Sequence, residues 1–337
     1  MSAQFDVCLV KVLVHHDANC RSCRDSASVN VMASPFDELT DSLTVSGYKL
    51  GSLIARVTPG PVAQGAAALL APGIALSLRS KRLMVERHLQ RVNPALKGLS
   101  LRRASQQAFD SYMRYYTESF RLPNLSKKHV DRCFSADGFH HIEEALEKGN
   151  GAILALPHLG GWEWAGRWMA DRGHRMTVIV EPLNPPELFE WFTKLRSDLG
   201  MNVVPLGPAA APAILGALKR NEIVCLLSDR DIQGGGIEVD FFGEKTTLPA
   251  GPAMLGIRGN TAVLPVATYF TSSVDGHHAV IRPPLPLDRE GKLRTAITAG
   301  TQALAVELEG LIRRAPEQWH LFQPNWPSDP GYGDQFV

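Results

Sequence analysis

The chain has 337 residues, of which 45% are hydrophobic and 20% charged, a composition typical of a soluble globular protein with one large α/β domain or two smaller ones. Its 35 Lys and Arg residues against 34 Asp and Glu residues leave a formal net charge of +1, which disfavours nucleic-acid binding through bulk charge. Five cysteines, an odd number, argue against a secreted disulfide framework and indicate a reducing compartment.

Residues 1–31 carry no sustained apolar period, so we expect a flexible tail or an overcalled start, followed by a single domain over residues 32–330. Charged residues interrupt the opening, which therefore does not read as a secretory signal. Cys20 and Cys23 have the spacing of a metal or redox pair, but no second such pair follows, which disfavours both roles.

Residues 48–122 have a helical pattern and are expected to form an α-helical cap. Within them, the apolar stretch 65–76 is broken by Pro72 and Gly73 and is shorter than the roughly 18–20 residues that span a bilayer, so no transmembrane helix is predicted. The stretch indicates two short helices, which either pack in a core or lie in a membrane interface. In the second case, the following basic residues would meet anionic headgroups: Arg79, Lys81, Arg82, Arg87 and Arg91.

From residue 150 to 327, short apolar runs alternate with helical segments. Strands are predicted at 152–157, 176–181, 203–206, 223–228, 262–270 and 278–282, and helices at 162–171, 186–199, 211–220, 252–258 and 293–314. Such continuous apolar strands between helices predict an α/β fold with a central, mostly parallel sheet covered on both faces. Ligands of these folds usually bind beyond the carboxyl ends of the strands.

The chemically informative segment is the turn from His158 to Glu163. His158 ends a predicted buried strand, Gly160 and Gly161 permit a tight turn, and Glu163 falls in the first turn of the next helix. If Glu163 accepts a hydrogen bond from one ring nitrogen, the other nitrogen faces the cleft as a base. The turn contains neither Ser nor Cys, so a substrate hydroxyl would be the nucleophile.

The spacing of His158 and Glu163 resembles the His-x4-Asp/Glu motif of the glycerolipid acyltransferases, and more closely that of the bacterial branch that acylates lipid A. Further landmarks follow in the matching order over residues 48–327, namely ELFEWFTKLRSDLG, LLSDRD, VDFFG, PAGPAMLGIRGN and APEQW. Within that branch, LALPHLGGWEWAG and EPLNPPELFEWF are similar to the phosphatidylinositol mannoside acyltransferases of mycobacteria and their relatives.

The chain departs from the lipid A pattern in three ways. Glu163 stands where Asp is usual, which makes the side chain longer and keeps the carboxylate. Glu181-Pro182 replaces the usual Arg-Pro, and residues 321–324 replace a basic cluster, which removes cations that could face a lipid A phosphate and favours a neutral sugar acceptor. The amino-terminal membrane span of that branch is missing, so we expect peripheral attachment to the cytoplasmic face of the cell membrane.

The resemblance implies transfer of a long acyl chain, typically palmitoyl, from acyl-coenzyme A to a mannose hydroxyl of phosphatidylinositol mannosides. His158 would act as general base without an acyl-enzyme, Glu163 would orient it, and Arg196 would stabilise charge or brace Glu163. The resemblance implies no metal and no cofactor beyond the co-substrate acyl-coenzyme A. Two alternatives remain open: an acyltransferase for another glycolipid or a lysophospholipid, and a non-catalytic lipid-binding protein.

Four further residues are predicted to bind substrate or brace loops near the site: Glu181, Asp229, Arg230 and Asp231. A metal site formed by Asp229 and Asp231 with Asp240 is disfavoured, since no His lies nearby in the sequence. The histidine pairs at 140–141 and 277–278 lack ligand spacing to any other residue and are expected on the surface.

Overall fold

The structure, a computed structural model, describes residues 35–336. The expectations for residues 1–31 and for the Cys20 and Cys23 pair concern residues outside this range. The described chain opens with four helices: α1 (Pro35–Val57), α2 (Gly60–Ser77), α3 (Arg79–Val92) and α4 (Gly98–Arg121). The other three pack around α4, which buries Ala108 and Phe109 in the helical region and turns Tyr115 towards the rest of the domain.

The prediction of two short helices in the stretch 65–76 is wrong, because α2 runs without interruption through Pro72. An internal proline removes one backbone hydrogen bond and costs roughly 3 kcal/mol. Burial of Ala67, Ala71 and Ile74 offsets that cost by holding both halves of the helix in one line. By length and a mean hydropathy of 1.2, α2 is the one helix in the described range that could cross a membrane, and 33% of it is buried inside the protein.

The basic residues after α2 are also not arranged as expected. Lys81 is buried, while Arg87 and Arg91 turn towards the carboxyl-terminal segment and pair with the buried carboxylate of Asp329. Arg82 lies near Glu86 at 3.7 Å. Lys81 and Arg91 are therefore packed against the protein and do not fit the headgroup alternative, whereas Arg79 and Arg87 are exposed.

The remaining chain forms an α/β unit, and the predicted fold class is confirmed. Its helices are α5 (Lys127–Arg132), α6 (His140–Glu147), α7 (Trp162–Asp171), α8 (Pro186–Asp198), α9 (Ala210–Lys219), α10 (Gly251–Gly259) and α11 (Leu293–Arg313). Its strands are β1 (Phe134–Asp137), β2 (Ala152–Leu156), β3 (Met176–Val180), β4 (Asn202–Pro205), β5 (Ile223–Leu227), β6 (Ile237–Phe241), β7 (Glu244–Leu248), β8 (Ala262–Phe270) and β9 (His277–Ile281). Every predicted strand and helix of the α/β region has both ends within one residue of these bounds.

Seven strands form one sheet in the order β1-β9-β8-β2-β5-β3-β4, and β6 and β7 form a separate antiparallel hairpin. All neighbours in the large sheet are parallel except β8 and β9. Strand β1 was not predicted, because its four residues alternate between exposed and half-buried positions and carry no apolar run. Strand β2 lies at the centre and is buried at all five positions.

Side-chain alternation along β2 divides the core into two layers. Ile153 and Ala155 face one layer, while Leu154 and Leu156 face the layer that contains Trp168 of α7. The chain leaves β2 at the carboxyl edge of the sheet and enters the turn that carries His158.

The prediction that His277 lies on the surface is wrong. Strand β9 starts at this residue, so His277 points inwards while His278 points outwards. Its ring stacks on Trp164 at 4.5 Å between centroids, and its Nε2 lies 3.1 Å from Glu118 Oε2. Burial alone would raise the pKa of Glu118, but His277 and Arg114 hold that pKa below its ordinary value.

Candidate active site

His158 and Asp229 meet because β2 and β5 are parallel neighbours. Leu156 is in register with Leu227, and each strand continues two residues further to one member of the pair. His158 Nδ1 lies 2.7 Å from Asp229 Oδ1, and the backbone N–H of His158 donates to Asp229 Oδ2 at 3.0 Å. The two residues are 71 positions apart in the chain.

The Asp229 carboxylate is buried beneath the imidazole ring. Burial alone would raise its pKa, but the neighbouring His158 and a hydrogen bond from Trp319 Nε1 at 2.7 Å hold that pKa below its ordinary value. An ionised Asp229 accepts from Nδ1–H and thereby fixes the His158 tautomer. Nε2 is left as the proton acceptor of the ring.

The predicted hydrogen bond between His158 and Glu163 is wrong, since Asp229 occupies that place. Glu163 is buried at the start of α7, where its Oε1 accepts from Arg196 Nε at 2.8 Å, Arg196 Nη2 at 2.7 Å and the Tyr115 hydroxyl at 3.0 Å. Its Oε2 has no hydrogen-bond partner among the described residues. The donors on Oε1 hold the carboxylate in place, while Oε2 is buried without a partner.

Arg196 therefore braces Glu163, which is one of the two roles predicted for it. Although burial by itself would lower the pKa of Arg196, the charge of Glu163 raises it. Burial and the same carboxylate raise the pKa of Tyr115 well above its ordinary value. The cluster of Glu163, Arg196 and Tyr115 thus combines one carboxylate, one guanidinium and one neutral phenol.

The four residues predicted to bind substrate or brace loops occupy different places. Asp229 lies behind the His158 ring and cannot reach a substrate, so the prediction that it binds one is wrong. Asp231 accepts from the backbone N–H groups of Gly234 and Gly236 at 3.0 and 2.8 Å, which makes it a loop brace. Arg230 and Glu181 line the pocket together, with Nη1 of Arg230 3.7 Å from Oε2 of Glu181.

The disfavoured metal site is not assembled. Asp229 and Asp231 have the partners described above, and Asp240 lies 3.0 Å from the Lys245 ammonium. Within residues 35–336, no group of three or more His, Cys, Asp or Glu side chains has the arrangement of a metal site.

One pocket joins the polar residues to the interior of the domain. Its polar wall is formed by His158, Glu163, Glu181, Arg196, Arg230 and His320. Its apolar wall follows the sheet, with Leu154 and Leu156 on β2 and Met176, Val178 and Val180 on β3, and continues onto Trp168 and Met169 of α7. The sheet residues share one face of each strand, so the wall extends for roughly 13 Å along β3.

Sequence reasoning missed His320, Tyr115 and Trp319, all on segments far from the motif. His320 donates its backbone N–H to the His158 carbonyl at 2.6 Å, and its Nε2 shares a hydrogen bond of 2.8 Å with Ser111 Oγ. Burial and the nearby His158 lower the pKa of His320 to about 3, so its ring is neutral at pH 7. The APEQW landmark was the available signal for Trp319 and its neighbour His320.

Comparisons with known proteins identify the family to which this chain is similar. The family described as bacterial lipid A biosynthesis acyltransferase matches residues 39–328. The phosphatidylinositol mannoside acyltransferase of Mycolicibacterium smegmatis is 35% identical over 297 residues, which cover 86% of this chain and 94% of that protein. The protein of the same name from Mycobacterium tuberculosis is 37% identical over 227 residues, 66% of this chain and 70% of that protein. A lipid A biosynthesis acyltransferase of Haemophilus influenzae is 28% identical over 199 residues, 58% of this chain and 59% of that protein.

Proposed function

We propose that this chain, which belongs to the bacterial lipid A biosynthesis acyltransferase family, transfers a palmitoyl-length acyl group from acyl-coenzyme A to a mannose hydroxyl of a phosphatidylinositol mannoside. Its membership makes it an enzyme of an acyltransferase family. The acceptor class is supported by the names of the mycobacterial relatives. The observation that carries the reaction is that Asp229 holds the His158 ring, which lines a pocket with a long apolar wall.

In the proposed reaction, His158 Nε2 removes the proton from the acceptor hydroxyl as its oxygen attacks the thioester carbon. A new C–O bond forms and the C–S bond breaks. The proton on the imidazolium then passes to the departing thiolate. Asp229 remains ionised throughout and stabilises the imidazolium.

Cys225 is the thiol in the pocket wall that could compete as a covalent nucleophile. Burial raises its pKa to about 12, which keeps it protonated at neutral pH and therefore weakly nucleophilic. This supports direct transfer to the acceptor hydroxyl, without an acyl-enzyme.

The apolar wall is proposed to hold the acyl chain. The long face formed by β2, β3 and α7 presents mainly hydrocarbon side chains, and burial of each methylene group contributes about 0.8 kcal/mol. Such a cavity favours a long chain over a short one. His158, which lines the same pocket, would lie next to the thioester of a chain inserted into it.

Glu163 Oε2 is proposed to accept a hydrogen bond from the sugar acceptor. A buried carboxylate oxygen without a partner is costly, and a substrate hydroxyl would remove that cost on binding. Glu181 and Arg230 line the same pocket and offer one acceptor and several donors for further hydroxyls.

Replacing Glu163 with Gln tests this division of roles. The glutamine side chain keeps an oxygen for Arg196 and Tyr115 but turns an N–H₂ group towards the acceptor, so we expect acyl transfer to fall about 10²-fold. Hydrolysis of palmitoyl-coenzyme A by water, which needs His158 and Asp229 only, should change little. Glu187→Gln, at an exposed position in the first turn of α8, is the control and should leave both rates unchanged. Equal losses of transfer and hydrolysis in Glu163→Gln would mean that Glu163 acts through His158.

The direct test of the proposed function offers the purified protein a panel of acyl-coenzyme A donors and lipid acceptors. The donors carry acyl chains of about 8 to 18 carbons, a range chosen to include chains shorter and longer than the apolar wall of roughly 13 Å along β3. The acceptors are phosphatidylinositol mannosides, other glycolipids and lysophospholipids, with mass spectrometry to identify the acylated hydroxyl. We expect palmitoylation of a mannose. Selective acylation of a lysophospholipid would overturn the acceptor, and binding of palmitoyl-coenzyme A without transfer to any acceptor would overturn the enzyme activity.

We further propose peripheral attachment to the cytoplasmic face of the cell membrane through the apolar face of α1 and α2. On α2, Val62, Leu69 and Leu76 recur every seven residues as one exposed stripe, and Leu69 is 84% exposed. On α1, Leu50, Leu53, Ile54 and Val57 form a second exposed stripe. The opposite face of α2 packs on α4, which favours a helix lying in the interface over one that spans the bilayer.

The exposed leucines of α2 should control membrane binding. Each Leu side chain removed from water contributes about 1.5–3 kcal/mol, so Leu69→Ser with Leu76→Ser should weaken binding to phosphatidylinositol-containing vesicles by at least about tenfold in a flotation assay. Leu215→Ser with Val306→Ser, at exposed positions on α9 and α11, should leave vesicle binding unchanged. Retention of full vesicle affinity by the α2 variant would exclude this face as the attachment surface.

A further inference from the structure

We propose that Trp319 is a positioning residue that sets the basicity of His158 through their shared partner Asp229. This inference rests on the proposed role of His158 as the general base. Trp319 Nε1 donates to Asp229 Oδ2 at 2.7 Å, while His158 Nδ1–H donates to Oδ1 at 2.7 Å. The two rings thus compete for the charge of one carboxylate.

The backbone around Trp319 is tied to the catalytic turn. Leu159 and Trp319 form an isolated antiparallel β-bridge. Gly160 N–H donates to the Gln318 carbonyl at 2.9 Å, and the amide of the residue after Trp319 donates to the His158 carbonyl. The chain segment that carries the indole is therefore held in register with the turn that carries the base.

The side chain of Gln318 fixes this pairing from the other side. Its Oε1 accepts from Phe270 N–H at 2.7 Å, and its Nε2 donates to the Phe270 carbonyl at 3.1 Å. Because β8 ends at Phe270, the segment is anchored to the large sheet as well as to the turn. A rigid backbone on both sides leaves the indole of Trp319 little freedom to move away from Asp229.

The indole is also packed on its faces. Trp319 is buried, and its ring lies 5.7 Å from Phe242 and 5.6 Å from His88 between centroids. Asn325, six residues further along, donates its Nδ2–H to the Asp229 carbonyl at 2.9 Å. The segment 318–325 thus contacts both the side chain and the backbone of Asp229.

The sign of the effect follows from the charge on Asp229. Besides His158 Nδ1–H on Oδ1, the backbone N–H of His158 and the Trp319 indole donate to Oδ2, and each of these two takes part of the negative charge that would otherwise stabilise the imidazolium of His158. Removal of the indole N–H leaves more of that charge to the imidazolium. Protonation of His158 should then become easier, and its titration should move to higher pH.

Other charged and titratable groups surround the pair, and the substitution of Trp319 changes the identity of none of them. On the pocket side they are His320, Glu163, Arg196, Tyr115, Glu181 and Arg230, and beyond the indole they are His88 and Asp329. His88 Nε2 lies 3.3 Å from Asp329 Oδ2. A shift in the titration midpoint of His158 on removal of the indole N–H can therefore be assigned to that donor, provided that a control variant accounts for the change in packing.

The test uses the full chain with labelled histidine and follows the His158 ring by NMR as pH is varied, with its signal assigned from the His158→Gln variant. We expect Trp319→Phe to move the midpoint upwards by about one pH unit, as loss of a hydrogen bond to a charged group requires. The acid limb of kcat/KM should move by the same amount. Trp326→Phe is the matched control, since it removes a buried indole that donates to the Phe241 carbonyl and packs in the same aromatic cluster.

An unchanged midpoint in Trp319→Phe, or equal shifts in Trp319→Phe and Trp326→Phe, would overturn the proposal. If Trp319→Phe does not fold, benzothienylalanine at position 319 removes only the N–H and keeps the ring shape, and the same midpoint shift is expected. A shift in the NMR midpoint that the acid limb does not follow would support the role of Trp319 and refute His158 as the base. The two hypotheses therefore fail separately.

Discussion

We expect His158→Ala to lower the kcat of acyl transfer by about 10²–10⁴-fold, the loss typical of removing a general base. The residue follows a strand and its side chain is 23% exposed, so its contribution is proton transfer more than packing. The measurement is the initial rate with palmitoyl-coenzyme A and a phosphatidylinositol mannoside. A variant that keeps more than about a tenth of the wild-type rate would exclude His158 as the base.

A second variant separates chemistry from structure. In His158→Ala the buried Asp229 loses the imidazole that lowers its pKa, so burial should raise that pKa and destabilise the turn. His158→Gln keeps a donor for Asp229 and cannot act as a base near neutral pH. We expect His158→Gln to unfold at nearly the wild-type temperature while it remains as inactive as His158→Ala.

Asp229→Asn should lower kcat by about 10⁴-fold, through the wrong histidine tautomer. The backbone N–H of His158 and the Trp319 indole both donate to Oδ2, so the amide oxygen of the introduced asparagine would occupy that position. Its N–H₂ group would then face Nδ1 and convert that nitrogen into an acceptor. The proton of the ring would move to Nε2, which could no longer accept a proton from the substrate. Steady-state kcat and the ring ¹⁵N shifts of His158 report both consequences.

Asp231→Asn is the control for this experiment. Asp231 is two residues away and also buried, but its carboxylate accepts only from loop amides. We expect Asp231→Asn to change kcat by less than about tenfold, because this substitution leaves His158 and its tautomer unchanged. Asp229→Asn with near-normal activity would show that another group orients His158, and Glu163 would become the candidate again.

Much of the site could be predicted from local sequence patterns. Continuous apolar runs predicted the strands, and helical spacing predicted the helices between them, with both ends within one residue; the central strands β2 and β8 are buried nearly throughout. The position of His158 at a strand end and of Glu163 in the first turn of α7 followed from the same patterns. The family resemblance added Arg196 and its bracing role.

The hydrogen-bond partner of His158 could not be predicted from the sequence, because either of two carboxylates could accept a hydrogen bond from its ring. Glu163 is five residues away along the chain, while Asp229 becomes adjacent only because β5, and not β3, lies next to β2 in the sheet. Strand order depends on how all the helices and strands pack together, and no periodicity within one segment encodes it.

The amino-acid sequence therefore placed His158 at the sheet edge and predicted the apolar strands that build the pocket. Tertiary structure decided what holds the His158 ring: Asp229, 71 residues away, which in turn accepts from Trp319, a further 90 residues along the chain. It likewise turned His277 and Arg91 inwards, since their partners Glu118 and Asp329 come from other elements of the fold. The physical reason is the same in each case: a periodic pattern predicts which face of an element is buried, whereas the contacts across that face form only when distant segments meet.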